Sequence, residues 1–119
     1  MKGVTRLLAA LTDPTRLRLL RLLHRQELCV CELMDALELP QYKVSRHLRE
    51  LRGVGLVEAT RSGRWMHYRI SETARRAALQ QDLLKLLDVH LANAPEARQD
   101  DRRLARRLAA GRADRYTCG

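Results

Sequence analysis

Apolar residues recur along most of this chain with a period near 3.6, and alternation replaces that period in two places. Val4, Leu7, Leu8 and Leu11 mark a first short helix over residues 4–11. Thr12-Asp13-Pro14-Thr15 then punctuates the chain. Asp13 suits the cap of a second helix and Pro14 its first position, where a missing N–H is no loss. Leu17, Leu20 and either Leu23 or Leu22 give that helix its buried stripe, and it is expected to end near residues 24–26. Leu28 and Val30 alternate as a very short strand would. Leu33, Met34 and Leu37 return to helical spacing, so a strand-to-helix change falls on residues 29–31. Pro40 opens a further helix with Val44, Leu48 and Leu51 inward, stopped by Gly53 and Gly55. Two extended runs, 56–60 and 65–70, surround a turn containing Gly63 and predict a β-hairpin.

Two short amphipathic helices joined by a tight turn, the second of them basic, read as a helix-turn-helix. A hairpin directly after it makes a winged helix. Ser71-Glu72-Thr73 predicts the cap of one last long helix carrying Leu79, Leu83, Leu84, Leu86, Leu87 and Leu91. That is more leucine than one face of a small domain needs, and a second copy of the chain is expected to cover the excess. The expected fold class is mainly α with a β-hairpin, a winged helix-turn-helix, dimeric. Residues 1–94 are expected to form the DNA-binding and dimerisation domain. Residues 95–119 are expected to be a charged C-terminal tail, flexible or partly helical near 98–110, that carries Cys118.

Charge sharpens this picture. The 119 residues suffice for one modest core. The net charge is +9, a balance that points to nucleic acid. Residues 41–69 alone hold seven basic side chains against two acidic ones. On the second helix, Gln41, Tyr42, Lys43, Ser45, Arg46 and His47 are the expected DNA-contacting group, with Arg61 and Arg64 at the hairpin tip. Gln and Arg are suited to adenine and guanine edges, Lys43 and Ser45 to phosphates, and a wing to backbone or minor groove. His47 and His67 are read as surface or packing residues with no metal-ligand role. No apolar run approaches the 18 or so residues of a membrane span. The N-terminus lacks the apolar core of a secretory leader, so a cytoplasmic location and no membrane partner are expected. No nucleophile–base constellation, phosphate loop or cofactor fingerprint accompanies the cysteines, and the chain is not expected to be an enzyme.

The cysteines are Cys29, Cys31 and Cys118. An odd number in a reducing compartment argues against a structural disulfide. Thiolates select soft, thiophilic ions. In a helix, residues i and i+2 point about 200° apart. In an extended segment they share a face about 7 Å apart. Joint binding by Cys29 and Cys31 therefore needs a non-helical or distorted backbone at 29–31. An ion held there would fix the start of the first helix-turn-helix helix in a shape unfavourable for docking on DNA.

Four segments together resemble the ArsR/SmtB family, and within it the arsenic-responsive repressors. They are residues 10–17 (Ala-Leu-Thr-Asp-Pro-Thr-Arg-Leu), 27–33 (Glu-Leu-Cys-Val-Cys-Glu-Leu), 44–48 (Val-Ser-Arg-His-Leu) and 63–69 (Gly-Arg-Trp-Met-His-Tyr-Arg). The resemblance covers about residues 5–91. It implies a winged-helix homodimer that binds double-stranded operator DNA without a cofactor. It also implies release by an inducer, As(III) or Sb(III), held by Cys29, Cys31 and a third thiolate; a two-thiolate site would also suit a methylated As(III), whose carbon occupies the third position. The arsenic repressors often place a third cysteine one helical turn after the second; that position here is Met34, read as core. Cys118 is the other thiol available, from either subunit. The alternative is a repressor that senses thiol oxidation or another soft metal (cadmium, lead, zinc). Some relatives also hold zinc with an Asp-x-His pair and two later ligands. Asp88-Val89-His90 matches the pair, but Asp101 and Leu104 stand at the later positions, so the second half is incomplete.

Overall fold

A computed structural model describes residues 1–110. The elements are α1 (Lys2–Ala10), α2 (Pro14–Arg25), β1 (Leu28–Cys29), α3 (Val30–Leu37), α4 (Gln41–Gly53), β2 (Val57–Ser62), β3 (Trp65–Ile70), α5 (Glu72–Arg76), α6 (Ala78–Leu91) and α7 (Pro95–Ala109). Asp13 caps α2, accepting from the backbone N–H of Thr15 at 2.8 Å and of Arg16 at 3.2 Å. α3 and α4 are the helix-turn-helix. The turn between them passes through Glu38, which takes the left-handed conformation at φ 54°. The antiparallel sheet has the order β1-β3-β2. β2 and β3 form the wing, closed by Gly63-Arg64 with Gly63 at φ 64°, the kind of turn that matches strand twist. Pairing Leu28 with Tyr68 and Cys29 with His67 seats the wing against the segment that precedes α3.

The core is aliphatic. Leu19, Leu20, Leu23, Leu33, Val44, Leu48 and Leu51 are fully buried, as the helical stripes require. No described helix is long and apolar enough to cross a membrane.

The expected long last helix is interrupted. Ser71 does cap a helix, accepting from the Ala74 N–H at 3.0 Å while its hydroxyl donates to the Gly55 carbonyl at 2.6 Å. That helix is the five-residue α5, however. Ala77 is extended at φ −77°, ψ 128°, and α6 starts anew after it. No Gly or Pro marks the break, so periodicity alone runs straight through it.

Of the two forms expected for the charged stretch after residue 94, the helical one holds through Ala109, and the helix is docked. Leu104 is buried and joins the core. Asp100 has no exposed surface and accepts from Arg18 Nε and Nη2 at 2.9 and 2.8 Å and from Arg103 Nη2 at 2.9 Å. Arg21, buried, donates to the Ala97 carbonyl at 2.9 Å and pairs with Asp101. Composition suggested a solvated tail because its charges are many. Four of them, Asp100, Asp101, Arg103 and Arg107, are instead held in ion pairs, most of them to α2 and to α3 or its C-cap.

A buried carboxylate shared by two guanidinium groups is costly to remove, because the cations lose their partner in a poorly solvated place. Asp100→Ala should lower stability by about 3–5 kcal/mol. A change at exposed Asp82 should stay within about 0.5 kcal/mol. Urea unfolding followed by circular dichroism measures both.

Candidate functional site

The two faces of α4 differ sharply. Val44, Leu48 and Leu51 have no exposed surface. Gln41, Tyr42 and Arg46 are exposed on the other side, Tyr42 at 66%, and Lys43 and Ser45 are half-buried beside them. Arg61 and Arg64 are exposed at the wing tip. Several basic residues elsewhere are paired: Arg18 with Asp100, Arg21 with Asp101, Arg69 with Glu58, Arg107 with Asp35. Lys43, Arg46, Arg61 and Arg64 have no ion-pair partner among the described residues. These four place unpaired positive charge on one helix face and one turn, where a polyanion would find it.

His47 stands apart from the group expected to face DNA. It is 7% exposed and turned inward. Its Nδ1 lies 3.9 Å from Asp13 Oδ1 and 3.4 Å from Arg16 Nη1, while Arg16 Nε donates to the Ala10 carbonyl at 2.6 Å. Burial holds its pKa below the ordinary value, against the pull of Asp13. In position and surroundings it is a joint that fixes α4 against the ends of α1 and α2. Its neighbour Leu48 continues the buried stripe, and a helix face wide enough to bury both turns His47 in as well.

The thiol pair lies at the other end of the helix-turn-helix. Cys29 is the last residue of β1 and the N-cap of α3, extended at φ −86°, ψ 165°. Cys31 is in the first turn of the helix. The pair therefore straddles the strand-to-helix joint, with the first cysteine on non-helical backbone. Both are buried, at 1% and 7% exposure. Glu32, with no exposed surface, closes a capping box: its Oε1 accepts from the Cys29 N–H at 2.9 Å, and the Cys29 sulfur faces the Glu32 N–H in return. Burial pushes the Cys29 thiol pKa up and Glu32 adds to this, although backbone N–H groups of Glu32 and Cys31 oppose it. Sequence reading passed over Glu32. The signal was the N-cap-to-N3 spacing from Cys29 to Glu32, a capping box in which a thiol stands where serine or threonine is usual.

Cys29 is not part of a disulfide. Cys31 is disulfide-bonded, which corrects the expectation that no disulfide forms. That expectation rested on the compartment rather than on geometry. Cys118 lies outside the described residues. Met34, at the place of the missing third cysteine, packs against the core, as expected of it. Among the described residues no three His, Cys, Asp or Glu side chains converge as a metal-holding group. The partial zinc pattern is taken up otherwise: Asp88 and Asp101 both face Arg25, at 3.3 and 3.9 Å, and Leu104 is buried.

Residues 13–59 match the family model described as bacterial regulatory protein, arsR family. The homodimeric winged helix-turn-helix DNA-binding domain of Mb0332 from Mycobacterium bovis superposes with a TM-score of 0.63 at 32% identity, over 79% of this chain and 86% of that one. The chain belongs to the ArsR family. Among curated relatives, this ArsR-family chain is 52% identical over 61 residues to the arsenic resistance transcriptional regulator ArsR1 of Pseudomonas putida, a span of 50% of this chain and 48% of that protein. It is 50% identical over 62 residues to the arsenical resistance operon repressor of Escherichia coli, covering 51% and 53%. The chain thus spans about half the length of these relatives. The matched family segment holds the α2 cap, both cysteines of the joint and the whole helix-turn-helix.

The state of Cys29 can be read directly. In a Cys31→Ser/Cys118→Ser background its alkylation by iodoacetamide at neutral pH should be slower than that of a peptide thiol by about tenfold or more, rising with pH. Burial as a neutral thiol stabilises the fold fully below the ordinary thiol pKa of 9.0, and this contribution is lost as pH rises through the higher folded value. The stability advantage over Cys29→Ser should therefore shrink above that range. An advantage constant with pH would contradict the assigned shift.

Proposed function

We propose that this ArsR-family chain is a transcriptional repressor. It binds operator DNA as a homodimer and leaves it when trivalent arsenic or antimony is held by Cys29, Cys31 and Cys118, or when a methylated trivalent arsenical, whose carbon fills the third position, is held by two of these thiolates. The observation that carries the DNA reading is the set of unpaired cations on the exposed face of α4 and at the wing tip, the two places where a winged helix meets the major groove and the backbone. Gln41, Tyr42, Lys43, Ser45, Arg46, Arg61 and Arg64 are the proposed contacts. His47, buried, acts by holding α4 in place. Exposed apolar side chains support the homodimer: Val4 and Leu8 on α1, and Leu79, Leu86 and Val89 on α6, are 41–59% exposed, more than a lone domain usually leaves on two of its helices.

The inducer reading rests on donor chemistry. Two buried cysteines one residue apart, both as thiols once reduced, suit a soft, pyramidal ion better than zinc or a hard cation. Arsenous acid and three thiols give three As–S bonds and three waters, each thiol proton leaving with a hydroxide, with no change of oxidation state. Holding the pair would strain the joint on both sides. β1 pairs with the wing strand through Cys29 and His67, and α3 takes its cap from the same residue. One ion thereby acts on the wing and on the helix-turn-helix together. The disulfide at Cys31 favours a second reading, a repressor that senses thiol oxidation through the same residues.

Fluorescence anisotropy on a duplex selected from a random pool, in phosphine-reduced buffer, separates the two. Arsenite should release the DNA without oxidant, and Cys29→Ser or Cys31→Ser should abolish release while leaving DNA affinity within a few-fold. Release by oxidant alone would transfer the function to the second reading. Affinity should fall by about a thousandfold between roughly 50 and 200 mM salt if six phosphates are neutralised, and Arg46→Ala should cost about 1–3 kcal/mol. A flat salt response would sink the DNA reading.

A further inference from the structure

We propose that Arg106 of α7 grips the phosphate backbone bordering the groove that α4 reads, which makes the last described helix part of the DNA-binding surface. This rests on the operator-binding reading above and extends it beyond the helix-turn-helix and the wing. The need for such a residue lies in α3. The first helix of a helix-turn-helix crosses the DNA backbone. Residues 30–38, α3 with its C-cap, hold three acids, Glu32, Asp35 and Glu38, and no lysine or arginine. Glu32 is buried in the capping box, but the side chains of Asp35 and Glu38 are exposed, at 53% and 71%. Alone, that flank would repel a phosphate chain.

The packing of α7 reverses that sign. Arg103 donates to the Ala36 carbonyl at 2.7 Å and lies 3.8 Å from Glu38, and Arg107 lies 3.3 Å from Asp35. Both exposed acids of α3 are thereby matched by a cation. Arg106 is left over. It is exposed and has no ion-pair partner among the described residues. It lines one cleft with Met34, Asp35, Glu38 and Leu39, so it overhangs the flank of α3 and the turn into α4. Leu39 is two residues before Gln41, at most about 7 Å of chain. The guanidinium therefore stands beside the exposed first residues of α4, Gln41 and Tyr42.

Two further features suit a cation placed for a partner. The helix that carries it is pinned: Asp100, with no exposed surface, binds Arg18 and Arg103, and Arg18 also donates to the Leu37 carbonyl at 3.0 Å. The place of α7 against α3 is thus set before DNA arrives, and binding costs little ordering of the backbone. Arg102, one turn before Arg106, is exposed as well and has no ion-pair partner among the described residues. Like charges four residues apart destabilise a helix. The fold gains nothing from this pair, whereas a guanidinium matches two phosphate oxygens at once.

Anisotropy on the selected duplex, with Arg106→Gln in reduced buffer over a range of salt, tests this. Affinity should fall by about tenfold at roughly 100 mM salt, and the salt slope should become shallower by about two, one phosphate from each subunit of the homodimer. The loss should be equal on duplexes with altered bases, unlike that of Arg46→Ala. The thermal midpoint should stay within about 3 °C of wild type, because the side chain is exposed and unpaired. Unchanged affinity and slope would overturn the inference and leave the operator reading standing. Weaker binding with an unchanged slope would mark a merely structural role and overturn it too. A wild type whose affinity ignores salt would refute both readings. Iron–EDTA attached at Arg106→Cys, in a Cys29→Ser/Cys31→Ser/Cys118→Ser background, locates the contact. It should cut the backbone at the borders of the groove that α4 reads, and a bound protein that cuts nothing would overturn the inference.

Discussion

The change of backbone from strand to helix at Cys29 is the constraint on which the rest of the molecule turns. One residue there pairs with β3, ends β1 and caps α3. The joint is fully buried, so its polar groups must be satisfied from within. Glu32 supplies that satisfaction, its carboxylate taking the Cys29 N–H. A serine in place of Cys29 could cap as well or better. Thiols at 29 and 31 therefore add little that the fold itself requires, and their presence is better explained by chemistry than by folding. Because the cap of α3 and the anchor of the wing are one residue, a ligand that takes hold of that residue cannot leave either DNA-reading element undisturbed.

Charge is distributed with equal economy. The chain is strongly basic, yet several of its scaffold arginines are neutralised by partners on other helices. Arginines on α2 and α7 meet Asp100 and Asp101, and those of α7 also meet Asp35 and Glu38 on α3. Lys43 and Arg46 on α4 and Arg61 and Arg64 at the wing tip are among the cations left without such a partner among the described residues. Surface pairs contribute little stability, but the Asp100 group is buried and directional. It joins α2, α7 and the carbonyl end of α3 in one network, so the position of α3 depends on α7.

Much of this was legible in the sequence, for identifiable reasons. Asp13-Pro14 fixed the start of α2 because a capping carboxylate followed by proline has few other uses. The hairpin was legible from alternation around Gly63. The cysteine joint was legible because a change of period fell on it. The break at Ala77 was not, since alanine favours helix and no breaker residue stands there. The docking of α7 was hidden by its composition: arginine and aspartate read as solvated until their partners on other helices are known. His47 read as part of the DNA face because it sits among basic residues. It is the step of about 100° per residue, set against the buried Leu48, that turns it inward.

The third thiol shows how these constraints combine. A cysteine at position 34 would lie one turn beyond Cys31 on the same helix, and such a site could close without any other element. Here that position is Met34, packed on the core, so α3 alone offers two thiols and no third. A third donor therefore has to come from outside α3. The helix that lies along it, α7, runs antiparallel, with Arg103 against Ala36 and Glu38 and Arg107 against Asp35. Asp100 holds α7 there through Arg18 and Arg103, so the position of α3, and with it the joint at its start, depends on salt bridges made one to two helical turns away.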